Sequence, residues 1–305
     1  MRRSVLTLKH LYSFVKLYSF VKSYFQRIEN IEPVKRRGRP KIFEDALIVT
    51  LWLYQTLYKL SYREVLEIAK HEGFHVPVLG DYHYRVKKLD EELLKKILDE
   101  STKHFFRAKW DFKYLIVDGT GFGFGSKYIL NWMRGTQVRE VSSHVRLVSL
   151  VAVDEKGRAI ILGCEVGGPY ASEVNMLREI LDRLEELPRG PFIADKGYDA
   201  VDVIERVMKF GCEPAIGMKQ SWRMRIRNWL RRMSFENWER YRKRRYRIEG
   251  VFGSMKLKVG SSFTLIREDL AKKMAIACAI LWNLYMIILQ RLWFFVIVLR
   301  VRRRG

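Results

Sequence analysis

Two short apolar runs each end on an aspartate: Tyr114-Leu115-Ile116-Val117 leads into Asp118, and Pro191-Phe192-Ile193-Ala194 leads into Asp195. Apolar runs this short, bounded by polar and glycine residues, read as buried strands. A carboxylate at the end of a buried strand is costly to desolvate and is normally paired or bound to a cation. The chain is therefore expected to build a sheet that carries acids at the ends of neighbouring central strands. A third acid, Glu249, lies in one of the most basic stretches of the protein. Three such acids meeting at one point would hold divalent metal, and the cations around them a polyanion. Together these features read as phosphoryl transfer on nucleic acid.

The texture of the chain from residue 113 onward supports such a sheet. Val145–Val153 and Ala159–Val166 flank the turn-rich Asp154-Glu155-Lys156-Gly157 and read as a hairpin. An amphipathic helix is expected over Ser172–Leu187, a strand at Pro191–Ala194, a helix over Ala200–Phe210 and a strand at Glu213–Met218, with helical patterns beyond. That order is α/β, with a mixed sheet flanked by helices. Gly119–Gly125 has no following Lys-Ser/Thr, so it is not a phosphate loop; it reads as a flexible turn leaving the first strand.

Charge sets the kind of partner. The 305 residues contain 57 Lys and Arg against 34 acids, a formal charge of +23. Such an excess favours nucleic acid or an anionic surface. Three scattered cysteines, Cys164, Cys212 and Cys278, form no CxxC pair, which argues against a disulfide framework or a cysteine zinc site. The expected location is cytoplasmic and nucleoid-associated. Met274–Leu299 is strongly apolar, but Asn283, Gln290 and Arg291 interrupt it. A buried C-terminal helix packed on the catalytic domain is expected rather than a membrane span.

The first 110 residues read as a DNA-binding region. Residues 1–42 form a basic arm with a doubled hexamer, Leu11–Lys16 and Leu17–Lys22, that suits an amphipathic helix. The arm ends in Lys35-Arg36-Arg37-Gly38-Arg39-Pro40-Lys41. Its Arg-Gly-Arg-Pro core resembles an AT-hook, with Arg37 and Arg39 reaching a narrow minor groove; a solvated basic linker fits the same residues. Residues 43–110 are helical. Ser61-Tyr62-Arg63-Glu64 reads as a capping box, and the basic-aromatic helix over Leu79–Leu89 carries Arg85 and Lys87. The order suggests helix-turn-helix, with a helical cap that makes no groove contact as the alternative. His71-Glu72-Gly73-Phe74-His75 matches the zinc-protease pattern, but Gly73 and Pro77 disfavour the helix that pattern requires, so the match is taken as accidental.

Spacing around the third acid is regular. Arg242 and Arg245 lie seven and four residues before Glu249, and Lys256 seven after, offsets that share one helical face. Upstream, Arg223, Arg225, Arg227, Arg231 and Arg232 alternate with Trp222 and Trp229, a composition suited to a DNA backbone track or to a solvated basic face. Trp132 and Arg134 are candidates for contact with an unpaired base, with a core role for Trp132 as the alternative.

Val117-Asp118-Gly119-Thr120-Gly121-Phe122 and Ala194-Asp195-Lys196-Gly197-Tyr198-Asp199 resemble the first and second acid motifs of insertion-sequence DDE transposases. Arg245-x3-Glu249-x2-Phe252-Gly253-x2-Lys256 resembles their third. The resemblance covers roughly residues 37 to 290. It implies a ribonuclease H-like fold, a catalytic domain over 111–292 with an apolar and basic tail over 293–305, and two divalent ions, Mg²⁺ or Mn²⁺. It assigns Asp118, Asp195 and Glu249 as catalytic metal ligands. Double-stranded DNA, both terminal inverted repeats and target, is the implied partner, contacted by Arg245, Lys256, Arg242 and Tyr241; a homodimer is expected and a membrane is not. Where the family often has a tyrosine three residues before the arginine, this chain has Arg242, with Tyr241 beside it. The implied activity is cleavage at element ends and transfer of the 3′-hydroxyl to target DNA. A non-catalytic transposase-derived DNA-binding protein, or a metal-dependent nuclease without strand transfer, are the alternatives.

Overall fold

The computed structural model describes residues 13–31, 41–125, 129–134, 137–219, 228–265 and 267–302. Arg37 and Arg39 of the hook-like segment and Trp222, Arg223, Arg225 and Arg227 of the basic track lie outside the described residues. The chain divides into two compact units, Met1–Ala108 with Ala277–Gly305, and Lys109–Ile276.

The first unit is helical: α1 (Phe14–Ile31), α2 (Asp45–Tyr58), α3 (Tyr62–His71), α4 (Leu79–Lys88) and α5 (Glu91–Arg107). Part of the presumed basic arm is thus a core helix. Phe14, Leu17, Val21 and Tyr24 of α1 are buried at spacings of three and four, so the hexamer repeat does not match the buried stripe. Helix α2 buries every residue from Ala46 to Leu57. Ser61 caps α3 as expected, its Oγ accepting from the Glu64 N–H at 3.2 Å while Glu64 Oε2 accepts from the Ser61 N–H at 2.6 Å. Helix α3 stops at His71 and Gly73 takes φ +83°, so the HExxH residues share no helix.

The second unit is built on a mixed sheet in the order β5-β4-β1-β6-β7. Its strands are β1 (Phe112–Phe124), β4 (His144–Asp154), β5 (Ala159–Gly167), β6 (Pro191–Ala194) and β7 (Glu213–Ile216), with β2 (Ile129–Arg134) and β3 (Gln137–Ser142) forming a separate hairpin. Strands β1, β4 and β5 are antiparallel, and β6 and β7 run parallel to β1. Flanking helices are α6 (Glu173–Arg183), α7 (Val201–Lys209), α8 (Trp229–Tyr241) and α9 (Tyr246–Val259); a two-residue strand β8 (Ser262–Phe263) joins the far end of β1. The mixed sheet flanked by helices, with helices preceding it, is the architecture expected from the sequence.

Two expectations need correction. Gly119–Gly125 is not a turn: β1 runs on through Phe124, paired with β4 from Gly119↔Val148 to Gly123↔His144. Alternate glycines leave one face of the strand without side chains, and neighbours come close there. A Cβ on Gly119 would lie 2.9 Å from Glu173 Oε1 and one on Gly121 3.3 Å from His144 Cδ2. The C-terminal helix α10 (Glu268–Arg302) is continuous, and from Ala277 it belongs to the unit of the N-terminal helices, not only to the sheet unit. Its Glu268–Gln290 portion is long and apolar enough to cross a membrane, yet 78% of its most apolar window is buried inside the molecule. Asn283 is buried and donates to Ser101 Oγ at 3.0 Å, which explains a polar residue in that run.

Candidate active site

Strand register brings the first two acids together. Val117 pairs with Ala194 across the parallel β1–β6 junction, so the next residues, Asp118 and Asp195, stand side by side. Strand β6 ends at Ala194 while β1 continues to Phe124. Asp118 is therefore a mid-strand residue, level with the end of its neighbour, rather than a strand-end residue.

Asp195 begins the 3-10 turn Lys196–Tyr198, and its Oδ1 accepts from the Gly197 N–H at 2.6 Å. A Cβ on residue 197 would fall 2.7 Å from that oxygen, so the tight cap needs glycine. Tyr198 then turns inward and is fully buried. Its hydroxyl is pushed far up by burial, with the nearby charges of Glu173, Asp118 and Asp195 adding to the effect.

Asp118 is held from two sides. Its Oδ1 accepts from the Gly119 N–H at 2.9 Å, and its Oδ2 accepts from Arg245 Nη2, also at 2.9 Å. Burial raises its pKa to about 6; Arg245 and the Gly119 N–H oppose that rise, while Asp195 and Glu173 reinforce it. Asp195 and Glu173 thus lie close enough to act on Asp118 electrostatically.

The third acid comes from α9. Arg245 Nη1 donates to Glu249 Oε1 at 3.3 Å, so the guanidinium lies between Asp118 and Glu249. Glu249 is 65% exposed. Further along α9, Lys256 Nζ sits 5.3 Å from the Phe122 ring centre, and burial lowers its pKa. Arg245, Glu249 and Lys256 thus follow β1 as the spacing requires. Arg242 does not share their helix. It starts a separate 3-10 turn, Arg242–Arg244, between α8 and α9, is exposed, and pairs with Glu239 at 3.4 Å. Tyr241 donates to Glu213 Oε2 at 3.1 Å. In the first unit, Arg85 donates to Asp45 Oδ1 at 2.6 Å and to the Phe43 carbonyl, while Lys87 is exposed.

Three other acids near the motifs, Asp199, Asp154 and Asp202, have structural duties. Asp199 accepts from Arg231 Nε and from the Lys219 N–H, both at 2.8 Å, and ties α8 to the loop after β6. Asp154 accepts from the Arg158 backbone N–H at 2.7 Å and Nε at 2.6 Å, closing the β4–β5 turn. Asp202 takes both Arg178 Nε and Nη2 at 2.7 Å. Sequence reasoning missed Glu173. It is the first residue of α6, pairs with Arg146 at 3.2 Å, and overhangs Gly119. Its one local signal is an acid directly after the Ser172 cap, common at helix starts.

The donor set around Asp118 is made of carboxylate oxygens, the chemistry that suits Mg²⁺ or Mn²⁺. A cationic group, the Arg245 guanidinium, already lies where Asp118 and Glu249 would share a cation. Among the described residues no three His, Cys, Asp or Glu side chains are grouped closely enough to hold an ion as they stand.

Residues 113–284 match the transposase DDE domain. The chain belongs to that family. A relative over most of its length is an uncharacterised protein of Aquifex aeolicus strain VF5, 34% identical over 261 residues, covering 83% of this chain and 80% of that protein. Among solved structures, the piggyBac transposase synaptic complex with hairpin DNA gives a TM-score of 0.41 at 9% identity, covering 89% of this chain and 72% of that one. The Mos1 strand transfer complex gives 0.29 at 13% identity, covering 85% and 81%. The Mos1 mariner paired-end complex with Mn gives 0.22 at 12%, covering 86% and 84%. No residue role is taken from these distant likenesses.

Proposed function

We propose that this DDE-family chain is the transposase of an insertion sequence, cutting phosphodiester bonds at the element ends and joining the freed ends to target DNA. The observation that carries the reading is the register that sets Asp118 beside Asp195, with Glu249 one arginine away. Asp118, Asp195 and Glu249 would hold two Mg²⁺ or Mn²⁺ ions. When bound, such ions activate the attacking oxygen and stabilise the leaving one.

The chain's own residues would do the rest. Arg245 and Lys256, with Arg242 and Tyr241 further out, would bind phosphates on either side of the scissile bond and hold it in line. Water attack on the phosphorus breaks the bond to the 3′-oxygen and leaves a 3′-hydroxyl. That hydroxyl then attacks a target phosphate, forming one phosphorus–oxygen bond as another breaks. Arg85 and Lys87 of the first unit, with Arg37 and Arg39, would contact the terminal repeats. A charge of +23 supplies a sequence-independent, salt-sensitive attraction to DNA. Two ends must be joined, so the working form is a dimer, acting on the nucleoid in the cytoplasm.

The test incubates purified protein with Mg²⁺, DNA spanning the borders of its own element, and a target plasmid. Joined products that vanish in Asp118→Asn and Asp195→Asn are expected. Cleavage without joining would make the protein a nuclease, and wild-type joining by either variant would remove that residue from the site.

A further inference from the structure

Arg245 occupies oxygens that the functional reading above assigns to metal, and this inference rests on that reading. One guanidinium spans Asp118 Oδ2 at 2.9 Å and Glu249 Oε1 at 3.3 Å, so it competes with divalent ions for an oxygen of each acid. Asp118 cannot be shielded by water alone: it is only 15% exposed, so with no cation at hand its charge would go uncompensated. The arginine is thus a stand-in that has to leave as the ions arrive.

The surroundings show where it can go. Arg245 Nε is buried without a hydrogen-bond partner, so the side chain has an unused donor. The same residue borders a hollow of about 430 Å³ shared with Asp195, Lys196, Phe235 and Trp238. Lys196 is exposed at its rim and adds a second cation. A phosphate there would accept from Nε and a terminal nitrogen at once, the forked geometry that guanidinium groups favour. The aromatic rings give the attached nucleotide a surface to lie on.

We propose that Arg245 is the counter-ion of the metal-free site, and that a DNA phosphate entering the hollow beside Asp195 draws it away from Asp118 and Glu249, so that divalent ions load after DNA. Idle protein then keeps its acids neutralised and its metal affinity low. Linkage makes the effect reciprocal: whatever DNA adds to metal affinity, metal adds to DNA affinity.

The experiment measures Mn²⁺ binding to the full chain by electron paramagnetic resonance of the free ion. It is run with and without a DNA duplex of arbitrary sequence, subtracting a DNA-only blank. Wild-type binding at the site, defined as the part lost in Asp118→Asn, is expected to tighten about tenfold with the duplex. Arg245→Gln is expected to bind Mn²⁺ tightly without DNA and to gain far less from adding it. Arg245→Lys keeps the charge but cannot span two acids. It is expected to fall between wild type and Arg245→Gln, and melting curves matched to wild type confirm that each variant is folded. Equal wild-type binding with and without DNA would overturn the proposal, as would wild-type DNA dependence in Arg245→Gln. Mn²⁺ binding unaffected by Asp118→Asn would instead remove the metal site itself, and with it the functional reading.

Discussion

At the scale of single residues, the site depends on close approaches that few side chains allow. Gly197 is the sharpest case, because a methyl group there meets the oxygen that caps the turn. Gly197→Ala is expected to displace the Asp195 carboxylate and lower the melting temperature, with loss of DNA cleavage exceeding what the lost stability explains; unchanged cleavage would separate the turn from the site. Asp202 gives a pH signature. Hydrogen bonds from Arg178 hold its carboxyl below the ordinary 3.8, helped by the charges of Arg178 and Arg206. The folded state therefore releases that proton more readily than the unfolded one. Its contribution is complete above the unfolded value and is lost as pH falls through the lowered folded one. Asp202→Asn is expected to melt below wild type at pH 7, by less than about 1 kcal/mol because the pair is partly exposed, and the gap should close towards pH 2. Asp118 and Asp195 were legible in the sequence because each follows an apolar run that could only be a strand. Glu173 was not, because its closeness to Asp118 comes from helix packing and leaves only an ordinary helix-start acid in the sequence.

At the scale of elements, local chemistry was read well wherever it is self-contained. The Ser61–Glu64 box is one example, and Ser61→Ala is expected to destabilise the first unit by about 1 kcal/mol, read from chemical denaturation. The β4–β5 hairpin is another, since Gly157 and the Asp154–Arg158 contacts set its turn from five consecutive residues. Elements whose form is imposed from a distance were misread. Gly119, Gly121 and Gly123 look like a loop, yet pairing with β4 along one edge and with β8 at the far end holds them extended. Helix α1 was expected as an amphipathic helix of a basic arm, but its place in the core, with Phe14, Leu17 and Val21 buried, was not read from the hexamer repeat. The spacing of seven placed Arg242 on the helical face of Glu249, but Arg242 begins the 3-10 turn Arg242–Arg244 and lies outside the helix that carries Glu249.

At the scale of the whole molecule, one helix serves both units. Beyond Ile276, α10 supplies buried Leu281, Leu284 and Ile287, and the Asn283–Ser101 bond, to the unit of N-terminal helices. Ending the chain after Ile276 is therefore expected to make residues 41–108 readily cleaved by protease, while the sheet unit resists longer; equal resistance in the truncated and full chains would contradict this. The central claim is spatial, that two adjacent strands and one helix bring Asp118, Asp195 and Glu249 to a shared pair of cations. Crystals grown with duplex DNA and Mn²⁺, examined by anomalous scattering, test it most directly. The account predicts an ion about 2 Å from oxygens of both Asp118 and Asp195, with Arg245 turned from Asp118 to a phosphate. Bound DNA with Arg245 still on Asp118 and no anomalous peak beside either aspartate would contradict it.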